Sequence, residues 1–405
     1  MFTALAGKAD SLRHSYRLTR DRLPLPCEPD PRFRGELERR LFSGPPSGSS
    51  SGMTREDGRI LAAIRDETAA FNRNNVARTA AYWKIYAANP ELHWAFLAHM
   101  VSRNGGWNMT DLKGQWLPRL LDHRLAEAIF ELMEACNSLI FGDAYPQLRL
   151  YEESKRAGRS LFGLLPEFGV SAFMAPFWDV FLAERRPIPL TEALIVNEQH
   201  FIQARVVEDP YFKRNAFETP AFRSQPLLQT NQLVVPLWRG GHAGNAKPMR
   251  LAGRVIERFE DIRERIEFGK CLYALLFGYP RLLRAAASFA RHVPHTGSRA
   301  DYWPHRFQTR DRGKNGAPDL SESAVTAKWF SPSLEEAWPD RPVRPPTEGD
   351  WFRSMDALDY VGTIRLPKVV DMTHEHLAGQ YKLQETALLE RSFMKGASRR
   401  RTGLG

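Results

Sequence analysis

Residues 89–114 read NPELHWAFLAHMVSRNGGWNMTDLKG. Asn89 is a good N-cap and Pro90 suits a first helical turn, so a helix is expected to begin here. Wound at about 100° per residue, Leu92, Ala95, Phe96, His99 and Arg103 share one face, and Trp94, Leu97 and Val101 the opposite one. A helix that is apolar on both sides belongs at the centre of its domain. Asn104-Gly105-Gly106 then reads as its stop. Asn108 or Thr110 would cap a following short helix, with Asp111 complementing that helix's dipole. An Arg at position 103 would lie against core, where an unpaired charge costs several kcal/mol, so it needs an acidic partner or a bound anion.

Two readings follow. In the structural one, Arg103 pairs with a carboxylate, Asn108 caps and Trp107 plugs a corner. In the functional one the segment floors a pocket. Arg103, Asn104, Trp107 and Asn108 then contact an anionic ligand, and Asp111 acts as base or ligand.

Outward from this segment, residues 53–291 repeat apolar positions at three and four, with no convincing alternating strand. Thr191 and Pro280 look like further helix starts, and Gly142 and Gly278 like further stops. Asp143 would cap the helix after Gly142, with Asn137, Tyr145 and Gln147 around the break. Residues 292–350 turn rich in Pro, Gly, Arg and Trp and read as a loop-dominated wrap, before a last helix over about residues 372–394. The expected fold is mainly α, a large helical domain with a loop-rich C-terminal wrap. Its parts are a charged arm over 1–42, a Pro/Gly/Ser linker over 43–52, the helical domain over 53–390 (body 53–291, wrap and last helix 292–390) and a basic tail over 391–405.

The chain's 405 residues include ten Trp and twenty-four Phe, a composition that excludes a disordered chain. The formal charge is +10, but the excess concentrates in residues 1–52 and 391–405. A nucleic-acid partner is therefore not expected for the nearly neutral core. Cys27, Cys136 and Cys271 are far apart and make neither a disulfide framework nor a zinc knuckle. No secretory leader and no membrane span is read, so a soluble cytoplasmic protein is expected.

The second polar motif is Pro294–Trp303, PHTGSRADYW. Thr296, Gly297 and Ser298 can turn donors inward as an anion nest with Arg299 and His295, while Asp301 and Tyr302 position a hydroxyl. The bland alternative is a turn with Arg299 and Asp301 as a surface pair. On the helix expected from Thr191 to Arg205, Asn197 and Glu198 are candidate partners for Arg103, and Glu198 is a candidate general base. His374 and His376 diverge on a helix and make a poor metal pair, so they are read as surface residues and no metal site is assigned. Dinucleotide, nucleophile-elbow and kinase fingerprints are absent, leaving the cofactor unassigned.

The stretches NVARTAAYWKIYAANPELHWAFLAHMVSRNGGWNMTDLKG (residues 75–114), FGDAYPQL (141–148), LIVNEQ (194–199) and PHTGSRADYW (294–303) resemble the YppC-like family of Bacillus-type proteins, over roughly residues 54–390. That family has no assigned function, so the resemblance implies domain extent and no catalytic residue. The residues themselves give the functional expectation. It is an enzyme or binding protein for a small anionic ligand, held by Arg103, Ser298 and Arg299, with Asp111, Glu198 or His295 for acid–base work and Trp107 and Tyr302 as a stacking wall. The alternative is a helical scaffold that binds a protein partner.

Overall fold

The computed structural model describes residues 2–23, 25, 31–43, 53–223, 231–238, 249–310, 328–342, 349–362 and 364–402. The fold is mainly α. Its long helices are α1 (Phe2–Thr19), α2 (Pro31–Ser43), α3 (Arg55–Phe71), α4 (Asn75–Ala88), α5 (His93–Asp111), α6 (His123–Ala157), α7 (Ala175–Glu184), α8 (Pro187–Ile202), α9 (Ile262–Phe277), α10 (Pro280–His292) and α11 (Thr373–Thr402). The helix carrying His99 and Arg103 is central, as expected. It packs along α4 and also touches α6, α8 and α9, and Trp94, Phe96, Met100 and Trp107 all lie in the main core.

Its ends differ from the sequence expectation. Asn89 closes α4, its N–H bonded to the Ile85 carbonyl, and α5 begins four residues later at His93 without a side-chain cap. Gly105 and Gly106 do not stop the helix, which runs on to Asp111. They let other groups approach it. A Cβ on Gly106 would lie 2.6 Å from both Asn75 Oδ1 and His295 Cε1. Close packing here outweighs the poor helix propensity of glycine. Thr110 is no cap either: its hydroxyl donates to the Trp107 and Gly297 carbonyls.

The expected break at Gly142 is absent, since α6 continues through Gly142 and Pro146. Asp143 is therefore not a cap but a buried mid-helix residue, tied to Gln147 one turn on and to Asn197 across the α6–α8 contact. The next helix starts at Pro187 rather than Thr191, whose hydroxyl bonds back to the Pro187 carbonyl. It leads into a π-helical turn, Gln203–Val207. The expected stop at Gly278 and start at Pro280 are both observed.

Two small sheets are present among the described residues. β1 (Gln232–Leu237) pairs antiparallel with β2 (Arg250–Val255). β1 is buried on both faces and contains Pro236, so its sequence lacks the alternation that announces a strand. β3 (Phe307–Gln308) pairs parallel with β4 (Trp329–Phe330). The described residues between 292 and 350 are otherwise turns and short helical segments, as expected.

Both N-terminal helices lie against the body. Asp371 receives the Ser11 hydroxyl and pairs with His14, while Ser15 Oγ accepts the Val370 and Asp371 N–H groups. Arg34 of α2 reaches Asp359. Most of the glycine-serine linker, residues 44–52, lies outside the described residues. Among the described residues no helix is long and apolar enough to cross a membrane.

Candidate functional site

The two polar motifs meet. The C-terminal half of α5 lies against the segment that follows α10, with Trp107 edge-on to Tyr302 at 4.4 Å and to Trp303 at 5.4 Å between ring centroids. Gly297, at φ +83°, makes the turn that aims its carbonyl at Thr110. A side chain there would be strained and would also press on Leu334.

One chain of hydrogen bonds crosses this junction, and its proton positions follow from chemistry. Asn75 Nδ2 donates to the Ser102 carbonyl at 2.9 Å, so Asn75 Oδ1 is the acceptor. It faces His295 Nε2 at 2.9 Å, so that nitrogen carries the proton. His295 Nδ1, 2.9 Å from the Tyr302 hydroxyl, is then the bare nitrogen of a neutral ring and accepts from Tyr302. Burial, with Arg103 and His99 close by, pushes the His295 pKa well down. One turn before Arg103, His99 Nδ1 lies 2.9 Å from the Thr79 carbonyl. A carbonyl only accepts, so His99 Nδ1 bears the proton. Burial and Arg103 lower this ring to about 3, so it is neutral and Nε2 is a bare lone pair.

Arg103 is 2% exposed. One terminal nitrogen donates to the Val293 carbonyl, and the guanidinium lies over Phe289 at 4.8 Å and Tyr302 at 5.5 Å. Among the described residues its Nε and Nη1 have no hydrogen-bond partner, nor has His99 Nε2. Among the described residues no carboxylate forms an ion pair with Arg103. The partners expected from α8 are elsewhere. Asn197 donates to Asp143 and accepts from Trp351, and Glu198 accepts from Trp94 and Gln199.

Arg299 is the opposite case. Its Nε and Nη2 grip Asp111 bidentately, at 2.6–2.9 Å, within a box of Trp107, Trp303 and Phe307 rings. Asp111 therefore neutralises Arg299, and the pair closes on itself. Ser298 and Arg299 are fastened to Ser331, through the Ser298 hydroxyl on its carbonyl and the Arg299 N–H on its hydroxyl. Asp301 is not Arg299's partner. It accepts from the Thr296 N–H and hydroxyl, and burial raises its pKa. Asn104 pairs with both backbone groups of Val234, fixing β1 to α5. Asn108 is half-buried on α5. His376 is not at the surface as expected. It is buried, stacked on Trp303, and bonded to Gln232 and Gln380.

A model for a protein family of unknown function, DUF2515, matches residues 70–379. The uncharacterized protein YppC of Bacillus subtilis strain 168 is 36% identical over 338 residues, covering 83% of this chain and 97% of that protein. The chain belongs to the DUF2515 family. No solved structure matches it. Every side chain of the junction just described, from Asn75 to His376, falls inside the stretch matched by the DUF2515 model.

This DUF2515 member holds a second polar centre. Asp143, Gln147, Asn197, Trp178 and Trp351 form one chain of hydrogen bonds between α6, α7, α8 and residue 351. Burial raises Asp143 to about 7 and the neighbouring Glu198 to about 8. The participants that sequence reading missed at the first centre are Asn75, Thr79 and Ser102. They are small polar residues inside apolar helices, and only the bonds they make with α5 and His295 mark them out.

Proposed function

We propose that this protein binds a small anionic ligand at Arg103, and that it does so as a soluble cytoplasmic protein. The observation that carries the reading is the guanidinium itself. It is almost fully buried and, among the described residues, has no carboxylate bonded to it and two donor nitrogens without partners. Buried charges are costly unless paired, and a guanidinium fork suits a carboxylate or phosphate. Phe289 and Tyr302 favour the cation through their ring faces without neutralising it. His295 and Asp301, at the edge of the network, are each only half-buried. Arg299, Ser298 and Asp111 then frame the junction rather than contact the anion. His295, with both ring nitrogens engaged, positions Tyr302 and Asn75.

A thermal-shift screen of small carboxylates, phosphates and sulfate against the full chain tests this. At least one anion should raise the unfolding midpoint of the unaltered protein and none that of Arg103→Met. A screen with no shift, or one whose shifts survive in Arg103→Met, overturns the reading.

A further inference from the structure

We infer that the ligand is an oxyanion carrying a hydroxyl of its own, which donates to His99 Nε2 while the anionic oxygen takes the free Arg103 nitrogens. This rests on the reading of Arg103 as the anion contact and adds the class of molecule it selects.

His99 and Arg103 are one turn apart on α5, so their side chains leave the same face of the helix. Both are almost fully buried, at 3% and 2% exposure. Among the described residues both present polar atoms without partners, and those atoms are of opposite kinds. Arg103 Nε and Nη1 can only donate. His99 Nε2 can only accept, because the Thr79 carbonyl at 2.9 Å holds the ring's single proton on Nδ1. Adding a second proton would put a cation beside Arg103 in a buried place, so the ring does not become a second donor. The surroundings are fixed as well. Trp83 and Phe96 lie against the His99 ring at 5.4 and 6.3 Å.

A donor pair beside a bare acceptor matches a hydrogen phosphate or a phosphomonoester still carrying an acid hydroxyl. It equally matches a carboxylate with an adjacent alcohol. It mismatches sulfate and a plain carboxylate, which would leave Nε2 unpaired in a dry place. A site built to receive a hydroxyl discriminates strongly against the analogue without one.

Binding to the full chain at pH near 7 is measured for two matched pairs of probes, phosphate against sulfate and glycolate against acetate. The hydroxyl-bearing member of at least one pair should bind about tenfold to a hundredfold more tightly, and which pair does so distinguishes the phosphate source from the hydroxy-acid source. His99→Phe should abolish that preference while keeping the weaker affinity for sulfate or acetate. Since His99→Phe also strips the Thr79 carbonyl of its donor, nitrogen NMR of histidine-labelled unaltered protein is the second readout. The bare Nε2 signal should shift with phosphate or glycolate and not with sulfate or acetate. Equal binding within both pairs, lost in Arg103→Met, overturns this inference and leaves the anion reading standing. No binding of any probe overturns both.

Discussion

Replacing Gly106 by Ala is the most direct perturbation of the junction. By helix propensity alone it should stabilise α5, since Ala is favoured over Gly by about 1 kcal/mol in a helix interior. The new methyl, however, would stand 2.6 Å from Asn75 Oδ1 and from His295 Cε1, and 2.7 Å from His295 Nε2. These are the two ends of one hydrogen bond. Neither end is free to swing away, because Asn75 is fixed on Ser102 and His295 on Tyr302. Overpacking costs about 1–3 kcal/mol, and leaving the buried Asn75 oxygen unpaired costs a further 1–3 kcal/mol or so. Less the propensity gain, the expected net loss is about 3 kcal/mol. For a chain of this size that is a fall of roughly 3–6 °C in the unfolding midpoint. Gly105→Ala is the matched comparison, since its methyl would meet Asn137 and Asn75 atoms only at 3.3–3.4 Å. It should be close to neutral. Thermal melts followed by circular dichroism decide the matter. A Gly106→Ala protein that melts with or above the unaltered one would refute the claim that this glycine exists for the His295–Asn75 crossing.

Three further outcomes are expected. Arg103→Met should keep or raise the melting midpoint without ligand, because it removes a charge that no carboxylate balances and retains most of the apolar contact with Phe289; a large fall in midpoint would show that the cation serves packing. Asp111→Asn should destabilise by about 3–5 kcal/mol, since it leaves Arg299 unpaired among aromatic rings, yet should leave Arg103-dependent binding in the folded fraction; selective loss of binding with normal stability would place Asp111 at the ligand. Stability should be highest over a plateau at about pH 4.5–6.5 and fall on both sides, and the sign follows from two opposed sets of groups. Burial lowers His99 to about 3 and His93 to about 4, so their contribution is present above the ordinary histidine value and is lost as pH falls. Burial raises Asp143 to about 7 and Glu198 to about 8, so theirs is fully present below the ordinary carboxylate value and is lost progressively as pH rises from there to those values. Urea midpoints measured across pH should show both limbs, and Glu198→Gln should flatten the alkaline one.

The helical class and the central place of α5 were legible because they rest on periodicity, which many residues share. The structure departs from the pattern's expectation where one residue's chemistry has two uses. Asn89 can cap a start or an end, and the choice depends on Glu152 and Lys155, which hold its side chain from α6. Gly105-Gly106 and Gly142 can stop a helix or admit a neighbour, and that neighbour is His295 or Asn72, distant in the chain. β1 was invisible because a strand buried on both faces has no alternation to show. The candidate site was half legible. Dense polar groups at 103–111 and 294–302 drew attention to segments that do meet. That Asp111 would take Arg299, and that Arg103 would take no carboxylate, depends on three-dimensional pairing that spacing does not encode.

That difference between two arginines is what gives the junction a direction. Arg299 is compensated inside the protein by a bidentate carboxylate, so its neighbourhood carries little net field. Arg103, among the described residues, is bonded to a carbonyl and faced by two rings. The titratable groups nearest to it are each held uncharged, His99 and His295 by lowered pKa values and Tyr302 by a raised one, all chiefly through burial. Asp301 is drawn to Thr296 and raised as well. Burial that holds both histidines and the tyrosine neutral leaves the guanidinium facing Asp301 as its one titrating acidic neighbour among the described residues, in surroundings where Coulombic attraction is far stronger than in water. An internal carboxylate would have relieved the cost and closed the site. Keeping the positive centre while neutralising its neighbours is what a protein needs if the compensating charge is to arrive from outside.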